Sequence, residues 1–206
     1  MKKPSQINPN KILFSLFLLL VGFSVGLIYS LASGFFYHPE SFEKPNFTDI
    51  RKAEMVLPAV DIEGNGIAGN LIATIKPGTG QIYANLKGTL SEFTTQDSFR
   101  IALEASTKYA KLDVSEYDLF YEIEVDAPVI EGPSAGGAMA IAILALLENE
   151  TINKSVMMTG TIDGDGNIGL VGYVLSKAKA AKDAGATVFL VPKGQSIEKT
   201  PIERKK

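Results

Sequence analysis

Ser134 and Lys177 are the two side chains whose types and surroundings suit covalent chemistry in this sequence. Ser134 lies in Glu131-Gly132-Pro133-Ser134-Ala135-Gly136-Gly137. Before it, Leu119 to Ile130 alternates and branches like a strand; after it, Ala138 to Leu147 has no breaker and reads as a buried helix. The serine therefore falls where an extended segment becomes a helix start, beside N–H groups that have no partner inside the helix. Two readings follow. The hydroxyl can cap the helix, with the glycines there for close packing. Alternatively, it can attack a carbonyl while the N–H groups hold the resulting oxyanion. Local chemistry alone leaves both open and favours the cap.

A nucleophilic serine needs a base, and composition restricts the choice. The sequence has no cysteine and a single histidine, His38, directly after a hydrophobic segment. A Ser–His–Asp triad would have to use His38, and metal sites built on two or more imidazoles are unavailable. Val174 to Ala184 reads as a helix closed by Gly185, and its three lysines are not equivalent. At roughly 100° per residue, Lys177 falls among Val174, Ala178, Ala181 and Ala184, whereas Lys179 and Lys182 fall opposite with Asp183. A lysine on a small apolar face snorkels to the helix edge, pairs with an anion, or loses its proton on desolvation. In the last case the neutral amine is a general base, and Ser134 with Lys177 is the simplest dyad the sequence offers.

The elements that must position these groups follow in order. Residues 1–11 are polar, with Lys2, Lys3 and Lys11, and residues 12–37 are apolar and uncharged. That stretch exceeds the ~20 residues a membrane helix needs and the ~7–15 of a signal-peptide core, so it is read as an uncleaved transmembrane anchor. The rival reading is a signal peptide cleaved near Ser30-Leu31-Ala32. Lysine and arginine counts tie across the span, but the N-terminal cations are unopposed, while Glu40, Glu43 and Asp49 offset those beyond it. This favours a cytoplasmic N-terminus and an extracytoplasmic domain. Residues 38–54 read as a linker and 55–194 as the folded domain, with 195–206 a charged tail.

Inside the domain, Met55–Val60, Ile67–Ile75 and Gln81–Leu86 read as a β-meander around the turns at Glu63–Gly66 and Pro77–Gly80. Thr94–Lys111 reads as a packing helix capped by Thr94 with Asp97 three residues on, Arg100 and Glu104 pairing on its exposed side. Ser155–Ile162 and Thr187–Val191 read as further strands. Asp163-Gly164-Asp165-Gly166-Asn167 resembles the opening of a calcium loop but is equally a hairpin turn, and is read as the turn. A net charge of −3 with no basic stripe argues against a nucleic-acid binder.

These residues together resemble the proteolytic domain of the Lon protease family. The nucleophile motif is Gly132-Pro133-Ser134-Ala135-Gly136, followed by Met158-Thr159-Gly160-Thr161-Ile162, the lysine segment Gly172-Tyr173-Val174-Leu175-Ser176-Lys177 and the strand Val188–Pro192. Leu57-Pro58-Ala59-Val60, Pro77-Gly78-Thr79-Gly80 and Gln96-Asp97-Ser98-Phe99-Arg100 resemble the N-terminal half, especially of archaeal members. The resemblance implies an α+β fold of a β-meander plus βαβ units, here preceded by one transmembrane helix. It implies Ser134 as nucleophile, Lys177 as general base, Thr159 as the hydroxyl orienting the Lys177 amine, Glu131 as an acidic gate and Gly132 within the oxyanion hole. The implied activity is hydrolysis of peptide bonds in unfolded proteins through an acyl-enzyme, in a hexamer, with no cofactor or metal.

Two departures from the family bear on function. No Gly-x-x-x-x-Gly-Lys-Ser/Thr loop occurs in these residues, so ATP-driven unfolding would come from an ATPase partner in trans, or substrates would arrive unfolded. The family domain continues past the closing strand with another helix and strand, whereas this sequence stops about a dozen residues beyond Pro192. That leaves a second function open, a catalytically inactive Lon-like module acting as a membrane-bound binding or assembly partner.

Overall fold

A computed structural model describes residues 20–25, 28–29, 41–86, 90–91, 93–126, 129–130 and 132–197. The chain divides into two units, Met1–Ser41 and Phe42–Lys206. In the first, residues 20–25 and 28–29 are helical, and the remainder of the expected 12–37 anchor, with residues 1–11 and His38, lies outside the described residues. Among the described residues no helix is long and apolar enough to cross a membrane.

The second unit is mixed α and β, as the sequence leads one to expect. A sheet forms from β1 (Arg51–Val60), β2 (Gly66–Pro77), β3 (Ile82–Leu86) and β5 (Tyr117–Val125), in the order β1-β2-β5-β3. Alternation dictates its inner face. Leu71, Ala73 and Ile75 of β2 are buried and register with Met55, Ala53 and Arg51 on one side and with Ile123, Tyr121 and Leu119 on the other. Against that face lie α1 (Phe93–Ala110) and α2 (Gly136–Glu148). The Phe99 and Tyr121 rings stack at 4.4 Å. Ser106 Oγ donates within α1 to Ala102 O and across to Ala140 O at 3.0 Å, so a small polar residue ties the two helices.

The expected β-meander does not form. β1 and β2 make an antiparallel hairpin, but β3 pairs parallel with β5, which inserts between β2 and β3. The physical reason sits at Asp118. Its carboxylate accepts from the Thr79 and Gln81 N–H groups at 2.8 and 3.0 Å, and Gly78 N donates to Glu116 O at 2.7 Å. The Pro77–Gly80 turn is thereby bound to the start of β5, which takes the edge of β2 that a meander would give to β3. The chain from β3 through α1 to β5 is instead a parallel crossover of βαβ type. A second parallel crossover runs from β7 (Val156–Met158) through α3 (Val174–Asp183) to β10 (Val188–Leu190).

The folded part also reaches back into the stretch read as a linker. Phe47 is buried in the core, Glu43 bridges Leu112, and Arg51 stacks its guanidinium 3.7 Å over the Phe47 ring. Arg51 Nη1 donates to the carbonyls of Leu146 and Leu147 at 3.1 and 3.2 Å, placing a cation on the last turn of α2 where the helix dipole favours one. The helix expected from Thr94 begins at Phe93, so the start lies before the residue expected to cap it; the Thr94 side chain lies outside the described ones. Arg100 pairs with both Asp97 and Glu104 on the exposed side. Short strands β4 (Leu90–Ser91) and β6 (Val129–Ile130) pair in parallel, and β8 (Thr161–Ile162) pairs with β9 (Ile168–Gly169) as a hairpin. Asp163 closes that hairpin's turn by accepting from the N–H groups of Asp165 and Asn167, while Asp165 pairs with Lys108. Both carboxylates are thus committed to structure.

Candidate active site

Four pieces of chain meet at Ser134: the end of β1, the start of β2, the turn into α2 and the first turn of α3. Ser134 is not the helix cap that local chemistry favours. The N-cap of α2 is Ala135, with no side-chain cap bond, so the Ser134 hydroxyl is free for another partner. That partner is Lys177, whose Nζ donates to Ser134 Oγ at 2.8 Å. The two residues are 43 positions apart in sequence and are brought together by α3 packing against the hairpin.

The turn carrying Ser134 is strapped to the segment after β7. Ser134 O accepts from Gly160 N at 2.8 Å and from Thr159 Oγ1 at 3.2 Å, and Gly137 N donates to Gly160 O at 3.0 Å. Thr159 is only 1% exposed. Its hydroxyl bonds the Ser134 carbonyl, whereas the family resemblance leads one to expect the Lys177 amine as its partner. Gly132 stands at φ +86°, a conformation that a Cβ would strain, and lines both cavities beside Ser134. Gly136 N is spent on Pro133 O, whereas no backbone acceptor is recorded among the described residues for the N–H groups of Ser134 and Ala135. Glu131 lies outside the described residues.

Lys177 is 4% exposed, in keeping with its place on the small apolar side of α3, while Lys179 and Lys182 are exposed. Among the described residues no carboxylate pairs with it. Burial without a compensating anion lowers its pKa from 10.5 to about 8. At pH 7 about a tenth of such amines are neutral, roughly 300-fold more than for an unperturbed lysine. The pair sits where two cavities join. One is a narrow slot of about 40 Å³ lined by Leu57, Pro58, Ile123, Val125 and Met139; the other is an open groove of about 430 Å³.

Two backbone features beside the pair escape sequence reasoning, the bare Cα of Gly66 and the carbonyl of residue 173. Gly66 opens β2 and reads as an ordinary turn glycine. A Cβ there would stand 2.0 Å from Ser176 O and 2.8 Å from Ser176 C, because α3 crosses directly over the hairpin one residue before Lys177. Tyr173 is the N-cap of α3 at φ +56°, ψ +38°, and its carbonyl accepts from Lys177 N at 3.0 Å. Neither role has a local signal, since each depends on where a distant element lands.

A hydroxyl against a buried amine that no described carboxylate pairs, beside N–H groups with no backbone acceptor among the described residues, suits acyl transfer by a serine nucleophile. Comparison with known proteins points the same way. The profile of the Lon protease (S16) C-terminal proteolytic domain matches residues 64–206. The archaeal Lon protease of Thermoplasma acidophilum is 30% identical over 137 residues, covering 63% of this chain and 20% of the relative. The Lon protease of Malacoplasma penetrans is 35% identical over 127 residues, covering 59% and 16%. Lon protease 2 of Bacillus subtilis is 40% identical over 78 residues, covering 38% and 14%. The chain thus matches about a fifth or less of the length of these curated relatives.

Proposed function

The chain belongs to the Lon protease (S16) C-terminal proteolytic domain family, and from that premise we propose that it is a serine endopeptidase in which Ser134 and Lys177 form the catalytic dyad. The observation that carries this reading is the 2.8 Å contact between Lys177 Nζ and Ser134 Oγ in a buried site. Neutral Lys177 accepts the hydroxyl proton as Ser134 Oγ bonds to the scissile carbonyl carbon. The N–H groups of Ser134 and Ala135, on a turn shaped by Gly132, are the donors suited to the oxyanion. The Lys177 ammonium then returns the proton to the departing amine as the C–N bond breaks. Water deprotonated by the regenerated amine attacks the acyl ester, and as the C–Oγ bond breaks the Lys177 ammonium returns that proton to Ser134 Oγ, freeing the carboxylic acid. Thr159, through the Ser134 carbonyl, is a positioning residue, and Glu131, three positions before the serine in sequence, is the acidic gate by family resemblance.

The setting belongs to the same proposal. Residues 12–37 anchor the chain as a single membrane-spanning helix, with the N-terminus cytoplasmic and the protease domain extracytoplasmic. Substrates are unfolded polypeptides, reaching the site unfolded or through an ATPase partner in trans, and the active assembly is a homo-oligomer, a hexamer by family resemblance.

The pH profile tests the base. With a Lys177 pKa of about 8, kcat/KM for unfolded casein rises about tenfold from pH 6 to pH 7 and levels off above about pH 9. A rate that is flat over this range would remove Lys177 as the general base.

Gly66→Ala tests the positioning. Its Cβ has no room unless α3 moves, and a displacement near 1 Å at the dyad can cost about 100-fold in rate. The expected result is a fall of about that size, with a loss of stability of roughly 1–3 kcal/mol from overpacking. Casein cleavage and thermal unfolding of the variant provide the check, and wild-type behaviour in both would show that the hairpin does not hold α3 in place.

A further inference from the structure

Tyr173 is held in a backbone conformation that its own side chain disfavours. At φ +56° and ψ +38° it occupies the left-handed region, uncommon for any residue with a Cβ and rarer for a bulky one. Nothing about starting α3 requires this side chain. It makes no capping hydrogen bond, and the carbonyl that accepts from Lys177 N would be supplied equally by glycine, which adopts this conformation without strain. Nor does the ring fill the core, since Tyr173 is 63% exposed. The ring rests on Gly64 in the β1–β2 turn, where an added Cβ would stand 3.1 Å from it.

The place of the ring gives the strain a purpose. Tyr173 lines the groove that also contains Ser134 and Lys177, and two other large apolar side chains line the same groove, Ile62 at 74% and Leu170 at 68% exposed. Large apolar groups left wet around one concave surface mark a contact surface more than scattered exposure does. An aromatic ring there offers wide, rigid contact area at little cost in side-chain entropy. Costly backbone geometry persists where the surrounding structure and function require it. Asp61 lines the groove as well, and its carboxylate, which accepts from the Asn65 and Glu63 N–H groups, disfavours acidic side chains.

We propose that Tyr173 is the specificity-determining wall of this groove, its ring receiving, with Ile62 and Leu170, an apolar side chain of an extended polypeptide and so selecting which peptide bond reaches Ser134. The selection of a scissile bond rests on the peptidase reading above, while the binding of the polypeptide does not.

The experiment separates the two. The full chain in detergent micelles carries Ser134→Ala so that bound polypeptide stays intact, and fluorescein-labelled, chemically unfolded casein is titrated by anisotropy. Adding Tyr173→Gly weakens binding about tenfold while raising the melting temperature by a few degrees, because the ring is lost and the strain released. Adding Tyr173→Phe leaves affinity and melting temperature as they were. With Ser134 restored, Tyr173→Gly raises KM for casein by the same factor and leaves kcat within about twofold. Ring-dependent binding by a chain that cleaves nothing would uphold the groove and sink the peptidase reading. Unchanged affinity in Tyr173→Gly, equal losses in Tyr173→Gly and Tyr173→Phe, or no casein binding at all would overturn the proposal.

Discussion

Replacing Lys177 with methionine is expected to abolish casein cleavage and to stabilise the fold. The activity loss follows from removing the only base within reach of Ser134 Oγ among the described residues, and general-base loss with an unactivated nucleophile costs about 10³-fold or more. The stability gain follows from the lowered pKa. The folded-state value of about 8 lies below the unfolded 10.5, so the unfolded chain binds more protons between those values and stability rises with pH across that window. Below pH 8 the native state carries the full penalty of a charged amine in an apolar place, about 3 kcal/mol at 1.36 kcal/mol per unit. Methionine has a similar length and no charge. After about 1 kcal/mol for the lost hydrogen bond, Lys177→Met should gain about 2 kcal/mol at pH 7. The gain should shrink towards zero and reverse as pH approaches 10.5. Thermal unfolding of wild type and variant at pH 7 and pH 10 reads this directly. A variant that is inactive and no more stable at pH 7 would mean that the amine is not desolvated as its burial implies.

A buried amine that costs its domain stability is what the proposed role of Lys177 as a base calls for. The sequence carries the same signal. The helical spacing of Val174, Lys177, Ala178 and Ala181 put one lysine among small residues, and Lys177 is buried where Lys179 and Lys182 are exposed. Amphipathic period is a local property and survives any change in how elements are later arranged. The strand–turn–helix context of Ser134 was legible for the same reason.

What escaped the sequence depended on distant partners. The order β1-β2-β5-β3 turns on the Asp118 carboxylate gripping the Thr79 and Gln81 N–H groups, and turn composition alone says nothing of a partner nearly forty residues on. Arg51 resembled a linker charge because its role, capping the α2 carbonyls, lies 95 residues away. Ser134 resembled an N-cap because its type and place suit one, yet Ala135 takes that position and Lys177 takes the hydroxyl. Gly66 looked like any turn glycine, since the reason for it is the Ser176 carbonyl of another element. Local pattern fixed the kinds of elements and the chemistry they carry, while contacts between elements decided neighbours and clearances.

Attack of Ser134 on the peptide bond is the step on which the proposed function rests. Ser134→Ala removes one oxygen atom, leaves the turn's bonds from Gly160 and Thr159 to the residue 134 carbonyl, and should leave the melting temperature within a few degrees of wild type. Without the nucleophile no acyl-enzyme forms, so the expected fall in cleavage is about 10³-fold or more. The most direct measurement is cleavage of chemically unfolded casein by the full chain in detergent at pH 8 without ATP, wild type beside Ser134→Ala. Wild type is expected to cleave the casein, and the folded variant to show nothing above background. Equal cleavage by both, or none by a folded wild type, would contradict the proposed function.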